Sequence, residues 1–478
     1  MLRKILNSVI ENSLQPIEST LYPSAFNLKE TSHFSWLLNY APCFPISTQN
    51  IRIITEPKQF YDAIIDNCKN AKKRITLVSL YLGNGKLEKE IVDTVRNNTS
   101  FKENKLEVNV LLDYTRGSRF QNNSRKMLQP LLQDNTNCNI SLYHTPVLRG
   151  VYKKLTPNRW NELYGLQHMK MYIFDDTLII SGANLSNDYF TNRQDRYFMI
   201  QDKGLSDFYC GLVNRVQKFS LQMDKNDKLT LSNDWQYSPY EGSKYKFIKK
   251  SGDLIEQYLI DSKNEQNTHK NKGHDTWVFP LVQMGQLGIE QDSQVTEKIL
   301  AETPEGSRLN IASGYFNLTS QYMETLINSS RGTCSILMAH PEANGFLGAK
   351  GAAGGIPYAY SLIAYKFKKK CIKYGQNKRL ILLEYFKKGW TYHAKGLWYY
   401  PPNSKYPCLT LIGSPNFGGR SVKKDLESQL ALITENEDLK KQLHKECTEL
   451  YEMGLPEKTE RTVPKWVYLF VFLFRDFF

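Results

Sequence analysis

The sequence predicts an α/β protein built from two related halves with a shared active site at their pseudo-twofold interface, and three observations carry that prediction. One constellation occurs twice in the same order. Gln167-His168-Met169-Lys170, Ser181-Gly182-Ala183-Asn184 and Asp195 in the first half are matched by Tyr392-His393-Ala394-Lys395, Gly413-Ser414-Pro415-Asn416 and Glu427 in the second. Each Asn lies eleven positions before its acidic residue. Strand-length apolar runs alternate with stretches of helical period in both halves, a pattern that implies parallel strands covered by helices. Finally, 478 residues provide for about two or three domains, which two halves of comparable size satisfy.

Residues 1–50 are mixed in character and end in Pro-containing turns, so they are expected to form an N-terminal extension wrapping the first half. The first half spans 51–240. Gln59–Lys69 has helical spacing, Ile75–Leu82 reads as a buried strand, Leu87–Val95 returns to helical period, and Leu106–Leu112 and Asn139–His144 are further strands. The apolar run Met171–Phe174 follows the first His-x-Lys directly. Residues 241–275 are rich in Lys, Asn, Ser and Asp with few apolar positions after Ile260, the composition of a linker or surface insertion.

The second half spans 276–455 and repeats the order. Leu309–Phe316 resembles Ile75–Leu82, down to Val78-Ser79-Leu80-Tyr81 against Ala312-Ser313-Gly314-Tyr315. Cys334–Ala339, Leu380–Tyr385 and Gly396–Tyr400 supply the next strands. Segment 345–357 holds five glycines. Each costs about 1 kcal/mol relative to Ala inside a helix, so a ligand-approaching loop is expected there. The tail, 456–478, carries the run Trp466–Phe474 between Lys465 and Arg475. It is too short to cross a bilayer, and its five aromatic side chains suit either an interfacial anchor or a buried terminal strand.

A formal net charge of +14, spread along the chain, favours an anionic partner: nucleic acid, nucleotide or acidic lipid surface. None of the eight cysteines forms a Cys-x-x-Cys pair, and the one close His/Cys pair, His444 and Cys447, has no second pair beside it. A zinc site and a disulfide scaffold are therefore disfavoured, and a reducing compartment is expected. The first thirty residues lack an apolar h-region, which argues against a secretory signal and gives only a weak transit-peptide signal.

A single histidine on a strand is usually a core residue, and a single lysine beside it a solvated charge; repetition changes that weighting. Displacement at phosphorus needs a nucleophile in line with the leaving group, an acid or base opposite, and cations against the non-bridging oxygens. Two histidines and two lysines meeting at one centre supply all three. Imidazole suits both the nucleophilic and the proton-handling role. Lys170, Lys395, Asn184 and Asn416 would donate to phosphate oxygens, and Asp195 and Glu427 would hold the second ring nitrogens and set the tautomers. The design calls for no metal and no other cofactor.

The motifs His168-x-Lys170-x4-Asp175 and His393-x-Lys395, with their Gly/Ser-x-Asn segments, resemble the phospholipase D superfamily over roughly residues 50–450. That resemblance implies two α/β halves, a covalent phospho-histidine intermediate on one histidine, and acid-then-base work by the other. The Asp expected five positions after Lys395 is Tyr400, a position the resemblance marks as structural. The segments Ser79–Gly83, Leu111–Arg119, Asn192–Tyr197, Pro341–Phe346 and Gly413–Gly418 are similar to the eukaryotic, mitochondrial-type phosphatidylglycerophosphate synthases. The implied reaction moves a phosphatidyl group from CDP-diacylglycerol to glycerol 3-phosphate with release of CMP, the first step towards phosphatidylglycerol and cardiolipin. Implied partners are those two substrates and an anionic membrane surface, with no nucleic acid. The implied location is mitochondrial, peripheral on the inner membrane.

The expected catalytic set is His168, Lys170, Asp175, Asn184, Asp195, His393, Lys395, Asn416 and Glu427, with His168, whose motif is complete, as nucleophile. Arg116, Arg119, Arg193, Arg196 and Arg420 lie beside the motif segments, where forked guanidinium groups grip phosphates. Lys350, in the glycine-rich segment, completes the expected substrate contacts. A hydrolase of lipid or nucleic acid on the same fold, and a non-catalytic lipid-binding protein, are the competing readings.

Overall fold

Runs that are apolar at nearly every position, such as Arg74–Val78 and Arg308–Ser313, form strands covered on both faces. The computed structural model describes residues 28–150, 153, 156, 161–266, 274–348, 354–457, 461 and 463–474. In the first half nine strands form one sheet, in the order Leu229–Leu231, Leu221–Met223, Cys138–Tyr143, Glu107–Asp113, Arg74–Val78, Met171–Phe174 (β1), Thr177–Ser181, Tyr197–Gln201, Ile51–Ile54. The second half lays out Leu380–Tyr385, Thr333–Ala339, Arg308–Ser313, Lys395–Tyr400 (β2), Leu409–Gly413, Leu426–Thr434 and Thr276–Met284 in the corresponding order. Only the three strands on one side of each His-x-Lys strand are parallel to one another. The rest of each sheet is antiparallel, which departs from the expectation of parallel strands because hairpin connections, not helical crossovers, follow β1 and β2.

The halves meet through a continuous apolar core. Met169, Met171, Ile180 and Phe198 pack in one cluster with Ala394, Trp398, Ile412 and Leu430. Backbone pairing also crosses the interface. His168 N donates to Leu426 O at 2.8 Å, and His393 N donates to Gln194 O at 2.8 Å.

Four sequence expectations change. The N-terminal segment lies on the second half: Phe34, Leu37, Ala41 and Cys43 join that half's core, and Phe44–Pro45 pairs with Trp277–Val278. Residues expected as a linker form the helix Lys244–Gln266. Its Phe247, Ser251 and Ile255 make a buried i, i+4, i+8 stripe, and Tyr258 stacks on Phe208 with ring centroids 5.5 Å apart. In the glycine-rich segment only the end differs from a loop: residues 345–348 are turn as expected, 349–353 lie outside the described residues, and the helix Ile356–Lys373 (α1) begins at the last two positions. The aromatic tail is the helix Lys465–Phe474 (α2), not a strand, and it sends Val467 and Val471 into the same core as Leu362, Ile363 and Phe367 of α1.

The hairpins after β1 and β2 explain the Asp/Tyr mismatch. After β1 the turn has only Asp175 and Asp176, with Asp175 at φ 51°. The Asp175 carboxylate accepts the backbone N–H groups of Lys72, Lys73 and Arg74 at 2.7 to 3.1 Å. β2 runs on to Tyr400, and a longer connection reaches Leu409, so no such cap is needed. Tyr400 is buried instead, with Arg308 3.9 Å from its ring centre and His444 Nδ1 3.1 Å from its hydroxyl.

Candidate active site

Alternate residues of an extended chain face the same side, so each His-x-Lys presents imidazole and ammonium together. The acidic partners are exchanged between the halves. His168 Nδ1 lies 2.9 Å from both carboxylate oxygens of Glu427, and His393 Nδ1 lies 2.8 Å from Asp195 Oδ2. Lys170 Nζ donates to His168 O at 2.7 Å, and Lys395 Nζ donates to His393 O at 2.6 Å while lying 3.1 Å from His393 Nε2. All six side chains are buried. Gly182 is required by this crowding: a Cβ there would sit 2.8 Å from Asp195 Oδ1 and 3.0 Å from Lys395 Cδ.

Burial governs the electrostatics. It lowers His168 well below the ordinary histidine range, helped by Lys170, and lowers His393 likewise, helped by Lys395. Both imidazoles are therefore neutral near pH 7, free to act as nucleophile or base. Burial also pushes Asp195 up to about 6 and Lys395 down to about 8, the latter against the pull of Asp195, and it depresses Lys170 well below its usual value. Glu427 is raised by burial, with Lys170 opposing.

The two asparagines are not equivalent. Asn184 Oδ1 accepts Leu80 N–H at 3.3 Å, and its Nδ2 donates to Tyr189 Oη at 3.2 Å. Asn416 is held by its backbone, N–H to Ser421 Oγ at 3.2 Å, and its buried Oδ1 has no protein partner. Sequence reasoning missed Tyr189, whose hydroxyl is 3.3 Å from His393 Nε2, and Tyr315, whose ring stands edge-on to His393 at 5.7 Å. The repeated Ser-x-Tyr of Tyr81 and Tyr315 was a signal for the second; nothing repeated signals Tyr189. Asp425 was also missed. It accepts Leu166 N–H at 2.9 Å and Arg420 Nε at 2.8 Å, fixing the strand that delivers Glu427.

Of the expected arginines, Arg193 and Arg420 act on the histidines. Arg193 lies 4.7 Å over the Tyr189 ring and contributes to lowering His393, while Arg420 contributes to lowering His168. Arg116 lies 4.5 Å over the Tyr81 ring, and Arg119 is further out, 5.1 Å over the exposed Phe120 ring. Arg196 corrects the expectation of a substrate contact. Its guanidinium is buried in a two-pronged pair with Glu446 at 2.8 Å, donates to Leu411 O at 2.7 Å and lies 3.8 Å over Trp398. Those contacts make it a strut between the halves. Asp175 likewise falls outside the catalytic cluster, because it caps a turn at the far end of β1. Lys350 lies outside the described residues.

Among the described residues, His168, Asp425 and Glu427 bring potential ligand atoms within 4.8 Å of one another. Their lone pairs are engaged by Arg420, Leu166 N–H and each other, so the donor set suits a hydrogen-bond network better than a cation.

The chain is similar to known proteins in sequence and in fold. The family described as cardiolipin synthase, PLD-like domain, matches residues 64–216. A human protein named CDP-diacylglycerol–glycerol-3-phosphate 3-phosphatidyltransferase, mitochondrial, is 42% identical over 93% of this chain and 86% of its own length. The chicken protein of that name is 41% identical over 96% of this chain and 89% of its own. The crystal structure of phosphatidylserine synthase from Haemophilus influenzae shares the fold, with a TM-score of 0.69 and 22% identity over 93% of this chain and 97% of that one.

Proposed function

The chain belongs to the family of CDP-diacylglycerol–glycerol-3-phosphate 3-phosphatidyltransferases, and from that premise we propose how its buried residues carry the transfer. The reaction moves the phosphatidyl group of CDP-diacylglycerol onto glycerol 3-phosphate and releases CMP. The supporting observation is the pair of neutral imidazoles, each held at Nδ1 by a carboxylate of the opposite half and each flanked by a lysine.

With Nδ1 fixed, only Nε2 of each ring is left to react. His168 Nε2 attacks the phosphatidyl phosphorus, a P–N bond forms and the phosphoanhydride bond to CMP breaks, its electron pair leaving on the CMP phosphate. CMP needs little acid help. The glycerol 3-phosphate hydroxyl then gives its proton to His393 Nε2 as its oxygen attacks phosphorus, and the P–N bond breaks to restore His168. Lys170, Lys395 and Asn416 face the non-bridging oxygens throughout. His393 is the proton handler because it has a hydroxyl partner, Tyr189 Oη at 3.3 Å. The corresponding position five residues after Asn416 is Ser421, whose hydroxyl accepts Asn416 N–H and bonds the Glu427 carboxylate rather than His168 Nε2. Arg193 and Arg420 are assigned to the substrates' anionic groups, with Arg116 at the rim. We place the enzyme in mitochondria, following the location in its relatives' names, and assign it to the inner membrane as the reading of its lipid donor.

Purified protein incubated with CDP-diacylglycerol tests the scheme. CMP release should require glycerol 3-phosphate; release without acceptor would make it a hydrolase, and no release a binding protein. His393→Ala should accumulate a phosphatidyl-enzyme detectable by intact-protein mass, whereas His168→Ala should not; the opposite pattern would exchange the two roles.

A further inference from the structure

A phosphatidyl donor is held in a bilayer, yet the histidines that must meet its phosphorus are buried. A surface beside the second half-site carries an unusual combination of side chains. Along α1, Tyr365, Lys369 and Ile372 follow one outward stripe at i, i+4 and i+7, and Ile372 is 55% exposed. α1 holds five lysines and no acidic residue. Lys368 and Lys370 are paired with Glu457 and Glu324, whereas Lys366, Lys369 and Lys373 are exposed. α2 packs beside α1 by Val467 and Val471 and turns Tyr468 and Leu469 outward, with Leu469 61% exposed. Because α2 packs directly on α1, the outward residues of the two helices adjoin on one side of the molecule.

We infer that the outward face of α1 and α2 is the surface on which this protein lies against an anionic bilayer. Aromatic rings with long cationic side chains suit the headgroup boundary, where the rings enter the acyl edge and the ammonium groups meet lipid phosphates. Among the described residues no helix is long and apolar enough to cross a membrane, so contact through these two helices is contact with one leaflet. The inward side of α1 ties the face to the chemistry. Tyr360 stacks on Tyr315 at 5.1 Å, and Tyr315 stands against His393. At the start of α1 the Trp466 ring covers Gly355 so closely that no Cβ fits there. α1 therefore links this face to the proton-handling histidine through Tyr360 and Tyr315.

The activity part of this inference rests on the phosphatidyl-transfer reading; the binding part does not, and one experiment separates them. Full-length protein is sedimented with phosphatidylcholine vesicles with and without phosphatidylglycerol, and CMP release is measured in detergent micelles. Tyr468→Ser with Leu469→Ser should weaken vesicle binding at least about tenfold. Lys369→Glu with Lys373→Glu should weaken binding to anionic vesicles by about tenfold or more and abolish the preference for phosphatidylglycerol. Both should keep micelle activity and thermal midpoint, and Lys102→Glu with Lys105→Glu, on the first half, should bind as the parent does. Parent-like binding by both α1 and α2 variants overturns the inference, as does an equal loss in the Lys102/Lys105 control. If the serine variant misfolds, the charge variant alone decides, since its two positions are exposed. A parent dimer that the serine variant converts to monomer, with vesicle binding unchanged, would put a second copy on this face and overturn it too. Absence of CMP release by the parent in micelles counts against the reaction and leaves the vesicle result to judge the face.

Discussion

Tyr189 is one of the residues that distinguish the two half-sites. Its hydroxyl bridges Asn184 Nδ2 and His393 Nε2, so it orients the nitrogen that accepts the acceptor's proton and offers that nitrogen a hydrogen-bond partner between turnovers. Tyr189→Phe keeps the ring that supports Arg193 but removes this partner. It should lower kcat roughly tenfold to a hundredfold while leaving KM for CDP-diacylglycerol within about twofold, because the hydroxyl acts on proton transfer and not on donor binding. Steady-state kinetics with glycerol 3-phosphate saturating will read the split; an equal rise in KM at unchanged kcat would make Tyr189 a mere wall of the site. The histidines, lysines, asparagines and acidic residues were legible because the sequence states them twice. Tyr189 and Asp425 were not, since their counterparts differ and repetition was the signal. Arg196 was misread for a related reason: proximity to a motif in sequence says nothing about which way a guanidinium turns, and Glu446, its partner, is 250 residues away.

At the scale of elements, strands such as Glu107–Asp113 and Leu380–Tyr385 were readable from short apolar runs, whereas Lys244–Gln266 was hidden by its charge. A helix needs only one apolar stripe, and Phe247, Leu254, Ile255 and Tyr258 supply it amid lysines and acids. The β2 hairpin was also partly legible. The missing Asp was visible, but not the longer connection that makes it unnecessary. Restoring it has a physical cost: Tyr400 is fully buried beside Arg308 and His444, and a shorter carboxylate there would leave a void and a poorly solvated charge. Tyr400→Asp should lower stability by roughly 2–4 kcal/mol while the folded fraction turns over normally. Chemical denaturation gives the first quantity and kcat per folded molecule the second. An unchanged midpoint would show that the end of β2 is free to open to water.

At the scale of the whole molecule, the repeated motifs announced a shared centre but not its crossed wiring. Asp195 serves the histidine of the second half and Glu427 that of the first, an exchange produced by pairing across the interface at Gln194–His393 and Leu426–His168. Such long-range pairing leaves no local period in the chain. Because the site is complete only when the halves are docked, its titration is a property of the assembled molecule. Asp195 must be ionised to hold His393 Nδ1, and burial has pushed it up to about 6; Lys395 must be charged to meet the phosphate, and burial has drawn it down to about 8. As pH falls through the first value, Asp195 gains a proton and lets the imidazole turn. As pH rises through the second, Lys395 loses its proton and its hold on the substrate. The kcat/KM profile should therefore be bell-shaped, with its plateau between about 6 and about 8 and roughly tenfold loss per pH unit beyond either limb. Asp195→Asn should lower the plateau and erase the acid limb, since an amide does not titrate. Lys395→Arg, always charged, should move the alkaline limb upward whatever it does to the plateau. An acid limb that survives in Asp195→Asn would assign the titration to another group, with Glu427, the opposite carboxylate, the next to test.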